Sequence, residues 1–170
     1  MSGSEHARLV TLGARWLKRR GFSVVATEIR ALDCREQPDV IGFRATCSAV
    51  IEAKASRSDF LADAHKPERS RGGGLGTYRF YLCPPGIISP GDLPPRWGLL
   101  EAVTKGLRLA VGPSGNLWPG TGAASADWQA FQHASSAERE RAILFSIARR
   151  QASRAPLPSG SVPAASAHAD

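Results

Sequence analysis

Residues 38–54, "PDVIGFRATCSAVIEAK", constrain the fold more than any other stretch of the chain. Two strand-like apolar runs, "PDVIGFR" and "SAVIEAK", flank "ATCS", a connection of a length common in β-hairpins. Side chains alternate across a strand, so a buried face fixes the register of the pair. Pairing Phe43 with Ser48 sets Ile41 against Val50 and Asp39 against Glu52, with Lys54 on the face of Glu52. These three polar groups then gather at one end of a sheet face that Ile41, Phe43 and Val50 otherwise fill. A β-bulge would shift the register.

Two carboxylates opposed across a strand pair repel each other, and each is expensive to bury as an anion. Lys54 offsets part of that cost. A divalent cation would offset the rest, since Mg2+ accepts one or two carboxylates and keeps several waters. Such an ion polarises phosphate oxygens and activates water, with a lysine available to orient the water or neutralise developing charge. The same trio also reads as a plain salt bridge at a sheet end, with Lys54 pairing Glu52 or Asp39.

Around the hairpin the chain alternates helical and strand patterns. "SGSEHARLVTLGARWLKRRG" opens with Ser2-x-x-Glu5, a capping-box spacing, and carries Leu9, Leu12, Gly13, Trp16 and Leu17 at helical intervals before Gly21 stops it. "FSVVATEIRAL" predicts a strand and "DCREQP" a turn. "SRSDFLADAHK" predicts a short helix capped by Ser56 or Ser58 and ended near Pro67, with Asp59 capping or pairing locally. "ERSRGGGLG" predicts a loop, "TYRFYLC" a strand whose aromatics pack in the core or stack on bases, and "ISPGDLPP" an irregular connector. "WGLLEAV" and "LRLAVG" around "TKG" predict a second hairpin, and "SSAERERAILFSIARRQ" a helix capped through Ser135 and Glu138. "PSGNLWPGTGAASADWQAF" has no legible pattern. The tail 153–170 has the Pro, Ser and Ala composition of a disordered segment.

Pro38-Asp39, twelve residues, then Glu52-Ala53-Lys54 resembles the signature of the PD-(D/E)XK nuclease superfamily. The string "EAKASRSDFLAD", a basic loop and "YRFYLCPPG" are similar to MmcB-like DNA-repair proteins and related phage-encoded nucleases. The likeness covers about residues 5–105. It implies an α/β fold with a restriction-endonuclease-like core: a central mixed β-sheet flanked by helices. A single domain would span 1–152, with a helical extension at 134–152. It further implies Mg2+-dependent hydrolysis of DNA phosphodiester bonds, Mn2+ being able to substitute, and an endonuclease rather than an exonuclease. Asp39, Glu52 and the Ala53 carbonyl would be the metal ligands and Lys54 the catalytic lysine. A further acid would come from Glu28, beside the hairpin, or from Glu5, which has a competing role in capping. The string "HKPERSRGGGLG" stands where an aromatic residue often occurs in these relatives.

Charge agrees with an anionic partner. The chain carries net +7, with "RWLKRR" and "HKPERSR" as its basic clusters. Arg57, Lys66, Arg69 and Arg71 follow the second strand of the hairpin and would grip phosphates, or form an ordinary solvated face. A 42% apolar content suffices for a core, no apolar run approaches a membrane span, and the first residues lack a secretory pattern, so a cytoplasmic protein is expected. Cys34, Cys47 and Cys83 are too scattered for a disulfide framework or zinc site. No G-K-[ST] follows the glycine loop, and neither a histidine ligand pair nor a G-x-S-x-G occurs. A catalytically silent DNA-binding, adaptor or particle-structural module of the same fold is the competing reading, and a homodimer stays open.

Overall fold

The computed structural model describes residues 2–31, 34–64, 73–122 and 125–154. It is an α/β fold built on one mixed sheet of six strands in sequence order. Helix α1 (Ser2–Arg19) leads into β1 (Val24–Thr27), β2 (Val40–Phe43) and β3 (Ser48–Ala53). Helix α2 (Arg57–Ala64) precedes β4 (Tyr78–Cys83), β5 (Trp97–Val103) and β6 (Gly106–Val111), and α3 (Ala126–Gln129) and α4 (Ala137–Ala152) close the chain. The β3–β4 and β4–β5 pairs are parallel and the others antiparallel. Phe43 pairs with Ser48 and Ile41 with Val50, the register that the apolar alternation dictates.

Helix α1 carries its apolar stripe on one face, where Leu9, Val10, Trp16 and Leu17 are buried against Val40, Ile51, Phe80 and Leu82. It lies close because Gly13 faces the sheet: a Cβ there would come within 3.3 Å of the Leu82 side chain. It ends in a Schellman turn, with Gly21 at φ 85° and the Phe22 N–H donating to the Leu17 carbonyl, Gly21 N–H to Lys18. Its first turn departs from the expected capping box. Ser2 is already helical, and the Glu5 carboxylate is taken by Arg8, one turn on.

Other expectations shift by a residue or more. Strand β1 stops at Thr27 because Glu28 turns to φ 47°. The cap of α4 is Ser136, whose hydroxyl accepts from the Arg139 N–H, while Ser135 bridges to Gly74. The "ISPGDLPP" connector holds one 3₁₀ turn, Pro90–Asp92. Residue 105, the expected edge of the core, falls in the β5–β6 turn, and β6 continues to Val111. The tail from 155 onward lies outside the described residues. Among the described residues no helix is long and apolar enough to cross a membrane, and all three cysteines are free thiols.

The second face of the sheet carries two apolar clusters. Ile41, Phe43 and Val50 pack with Leu75 and with Ile143 and Ile147 of α4, while Tyr81, Trp97 and Leu99 pack with Phe60 of α2. The segment without a sequence pattern supplies the centre of the opposite face. Trp118 makes edge contacts with Trp16, Phe22, Tyr78 and Trp128 at 5.0–5.8 Å between ring centres. It does so from φ 50°, a conformation that persists for a bulky residue only when its surroundings fix it. Trp118→Ala is therefore expected to cost about 3–5 kcal/mol in guanidinium denaturation; a loss under about 1 kcal/mol would contradict this packing.

Candidate active site

The end of the β2–β3 hairpin brings Asp39, Glu52 and Lys54 together. Asp39 precedes the Val40–Ile51 pair by one residue and so stands opposite Glu52. Its Oδ2 accepts the Ala53 backbone N–H at 2.8 Å, and its own carbonyl accepts the Glu28 N–H at 3.0 Å. These two bonds tie the aspartate to the strands on either side. Glu52 is next to Tyr81 across the parallel β3–β4 pair, and both are buried. The Lys54 N–H continues that ladder to the Leu82 carbonyl at 2.8 Å, which returns its side chain to the Glu52 face.

Lys54 Nζ lies 3.9 Å from Glu52 Oε2 and 3.4 Å from Asp63 Oδ1. Asp63 comes from α2, where it follows Phe60 by three residues and shares its buried face. The Tyr81 hydroxyl donates to the other Asp63 oxygen at 3.0 Å, and the Tyr81 ring meets Phe60 edge-on. The lysine is thus held between two acids, one of them oriented by a tyrosine. Helix α2 is set in place by Ser56, whose hydroxyl accepts the Asp59 N–H at 3.2 Å. Asp59 itself stays outside this cluster.

His6 completes the approach from α1, with Nε2 3.5 Å from Asp39 Oδ1. Burial pushes the Asp39 carboxyl above its ordinary 3.8, with Asp63 adding repulsion, although the Ala53 N–H, His6 and Lys54 pull the other way.

The remaining sequence candidates are placed differently. Glu28 lies just past β1 and is exposed, near Asp39 through its backbone bond. Glu5 pairs with Arg8. Arg57 turns to the 3₁₀ segment, with its fork on Asp92 at 2.7 and 3.2 Å and a bond to the Ile87 carbonyl. Lys66, Arg69 and Arg71 lie outside the described residues. Sequence reasoning missed His6 and Asp63. Both had a signal in helical spacing: His6 precedes Leu9, Val10 and Gly13 by three, four and seven positions, on the buried stripe of α1.

Among the described residues no three His, Cys, Asp or Glu side chains converge closely enough to enclose an ion. The donor set is two carboxylates, Asp39 and Glu52, with the Ala53 carbonyl beside them on β3. That suits a hard cation that keeps most of its water, as Mg2+ does, and not a caged transition metal.

No family model and no curated protein matches the chain. Its fold is similar to that of a solved protein of unknown function from Silicibacter pomeroyi, at a TM-score of 0.58 and 24% identity over 91% of this chain and 88% of that one.

The raised Asp39 carboxyl has a consequence for stability. A carboxyl lifted by the fold favours the native state at low pH, and that contribution is lost as pH rises from 3.8 through the lifted value. Asp39→Asn keeps an acceptor for the Ala53 N–H and removes the partly buried anion. Thermal unfolding should show the variant above the wild type in Tm at pH 7, with the gap closing below about pH 4. A variant less stable at pH 7 would contradict this reading.

Proposed function

We propose that the chain is a metal-dependent DNA endonuclease of the PD-(D/E)XK type, acting in the cytoplasm on DNA undergoing repair or phage-type processing. The observation that supports it most is the meeting of Asp39, Glu52 and Lys54 on one sheet face, with Lys54 drawn to the acids by a second carboxylate, Asp63. A structural salt bridge needs one lysine and one acid. Here one lysine serves Glu52 and Asp63 while Asp39 sits opposite on the neighbouring strand, an excess of negative charge that a cation would balance before a phosphate could approach.

Asp39 and Glu52 would hold Mg2+, with the Ala53 carbonyl as a further donor. The ion when bound supplies electrophilic pull on a phosphate oxygen and a more acidic water. The chain's own residues do the rest. The Ala53 N–H holds Asp39 Oδ2, which leaves Oδ1 on the side of His6, 3.5 Å away. Lys54 presents a cation where charge grows on the phosphate, at a distance from water that strengthens its effect. Tyr81 and Asp63 keep the ammonium from swinging away.

A silent DNA-binding module of the same fold is the second reading. The observation on its side is that among the described residues no three His, Cys, Asp or Glu side chains are grouped so as to hold an ion.

Incubation with single-stranded, duplex and branched DNA in Mg2+ or Mn2+ separates the two. The nuclease reading expects cleavage that chelator abolishes and that Asp39→Asn, Glu52→Gln and Lys54→Met each lower by at least about 100-fold. Asp39→Asn is the most informative, since it should be inactive while melting higher than the wild type. No cut on any substrate would reject the proposal in favour of the silent module, and Asp39→Asn cutting at the wild-type rate would reject Asp39 and its neighbours as the site of cleavage.

A further inference from the structure

Two adjoining clefts open between the segment after β1 and the outer face of α4. One, of about 380 Å³, is lined by Arg30, Arg149, Arg150 and Arg154. The other, of about 410 Å³, shares Arg30, Ser146 and Arg149 with it and adds Phe145. Among the described residues no acidic side chain lines either. All four arginines are exposed, and none forms an ion pair with an acid among the described residues. Phe145 is 65% exposed, so its ring is open to a partner.

We propose that this groove seats single-stranded DNA, its phosphates on the arginines and a base on Phe145, and delivers it to the Asp39–Glu52–Lys54 site. The delivery step rests on the nuclease reading; the binding does not. Helix macrodipoles attract cations to a C-terminal turn, which accounts for Arg149 and Arg150 alone. It does not bring Arg30 across from the sheet side, nor expose an aromatic ring among them. Guanidinium groups fit phosphate oxygens in pairs, and a base stacks on any open ring face whatever its sequence. Paired bases hide their faces, so the ring selects a single strand over a duplex.

Position links the groove to the catalytic residues. The Glu28 N–H bonds the Asp39 carbonyl, and Arg30 follows Glu28 by two residues, at most about 7 Å along an extended chain. A strand lying on Arg30 would therefore run beside the end of the β1–β2 pair, next to Asp39. Ile29, between them, is buried against Ile143 and Ile147 and keeps groove and site in fixed relation.

Fluorescence anisotropy with a labelled oligothymidylate in chelator, where nothing is cut, tests the proposal. Arg149→Ala/Arg150→Ala should weaken binding at least about tenfold and flatten the log–log salt slope by about 1.4, or about 0.7 for each phosphate no longer neutralised. Phe145→Ala should weaken it about 5- to 100-fold with the slope unchanged. Both variants alter exposed side chains, and circular dichroism confirms that they fold. Wild-type affinity in both variants, or a duplex of equal length competing as well as the single strand, would overturn the proposal. Weakened binding in these variants, from a wild type that cuts nothing, would leave the groove standing and remove the nuclease reading. Cleavage by a wild type whose groove variants bind normally would do the reverse.

Discussion

A lysine kept out of water between two carboxylates is the constraint on which this site depends. Lys54 is 3.9 Å from Glu52 and 3.4 Å from Asp63, and all three side chains are nearly inaccessible. Moving such ions out of water costs several kcal/mol each, and their attraction offsets this only when the geometry is good and the remaining lone pairs are satisfied. The Tyr81 hydroxyl on Asp63 meets that condition on one side. On the other side Asp39 remains, a partly buried carboxyl that the fold makes harder to ionise. Such an arrangement stabilises a fold poorly and suits a charged ligand well.

The sheet makes that arrangement possible. Strand β3 is central, antiparallel to β2 and parallel to β4, so one side of its end meets Asp39 and the other meets Tyr81. Crossing from β3 to a parallel β4 requires a connection over the face of the sheet, and α2 is that connection. It delivers Asp63 to Lys54 while Phe60 anchors it under Tyr81. On the reverse face α1 and the Trp118 cluster exclude water from β3 and β4. Helix α4 reaches the same strands at their other end, where Glu140 accepts from the Ser48 hydroxyl at 2.6 Å and the Gly76 N–H at 3.1 Å.

Much of this was legible in the chain because a buried sheet face leaves one register open. The Phe43–Ser48 pairing follows from apolar alternation, and with it the proximity of Asp39, Glu52 and Lys54. Gly21 could be read as a helix stop because its φ of 85° is what a Schellman turn demands. What could not be read depends on contacts far apart in sequence. Glu28 ends β1 by a backbone conformation that its side chain does not announce. Ser135 and Ser136 are equivalent as letters, and the bridge of Ser135 to Gly74 decides which one caps α4. Trp118 and Trp128 sit among glycines, prolines and serines, with no periodicity to mark them as core. Asp63 gains its meaning only when α2 folds over the sheet, and Arg57, which reads as a phosphate ligand, finds Asp92 first.

Calorimetric titration with Mn2+ tests the central claim most directly, since the unbalanced acids are said to exist for a cation. The account expects saturable binding by the wild type, absent in both Asp39→Asn and Glu52→Gln. It should also weaken as pH falls, because a proton competes for the lifted Asp39 carboxyl. No binding by the wild type, or equal binding by both variants, would contradict it.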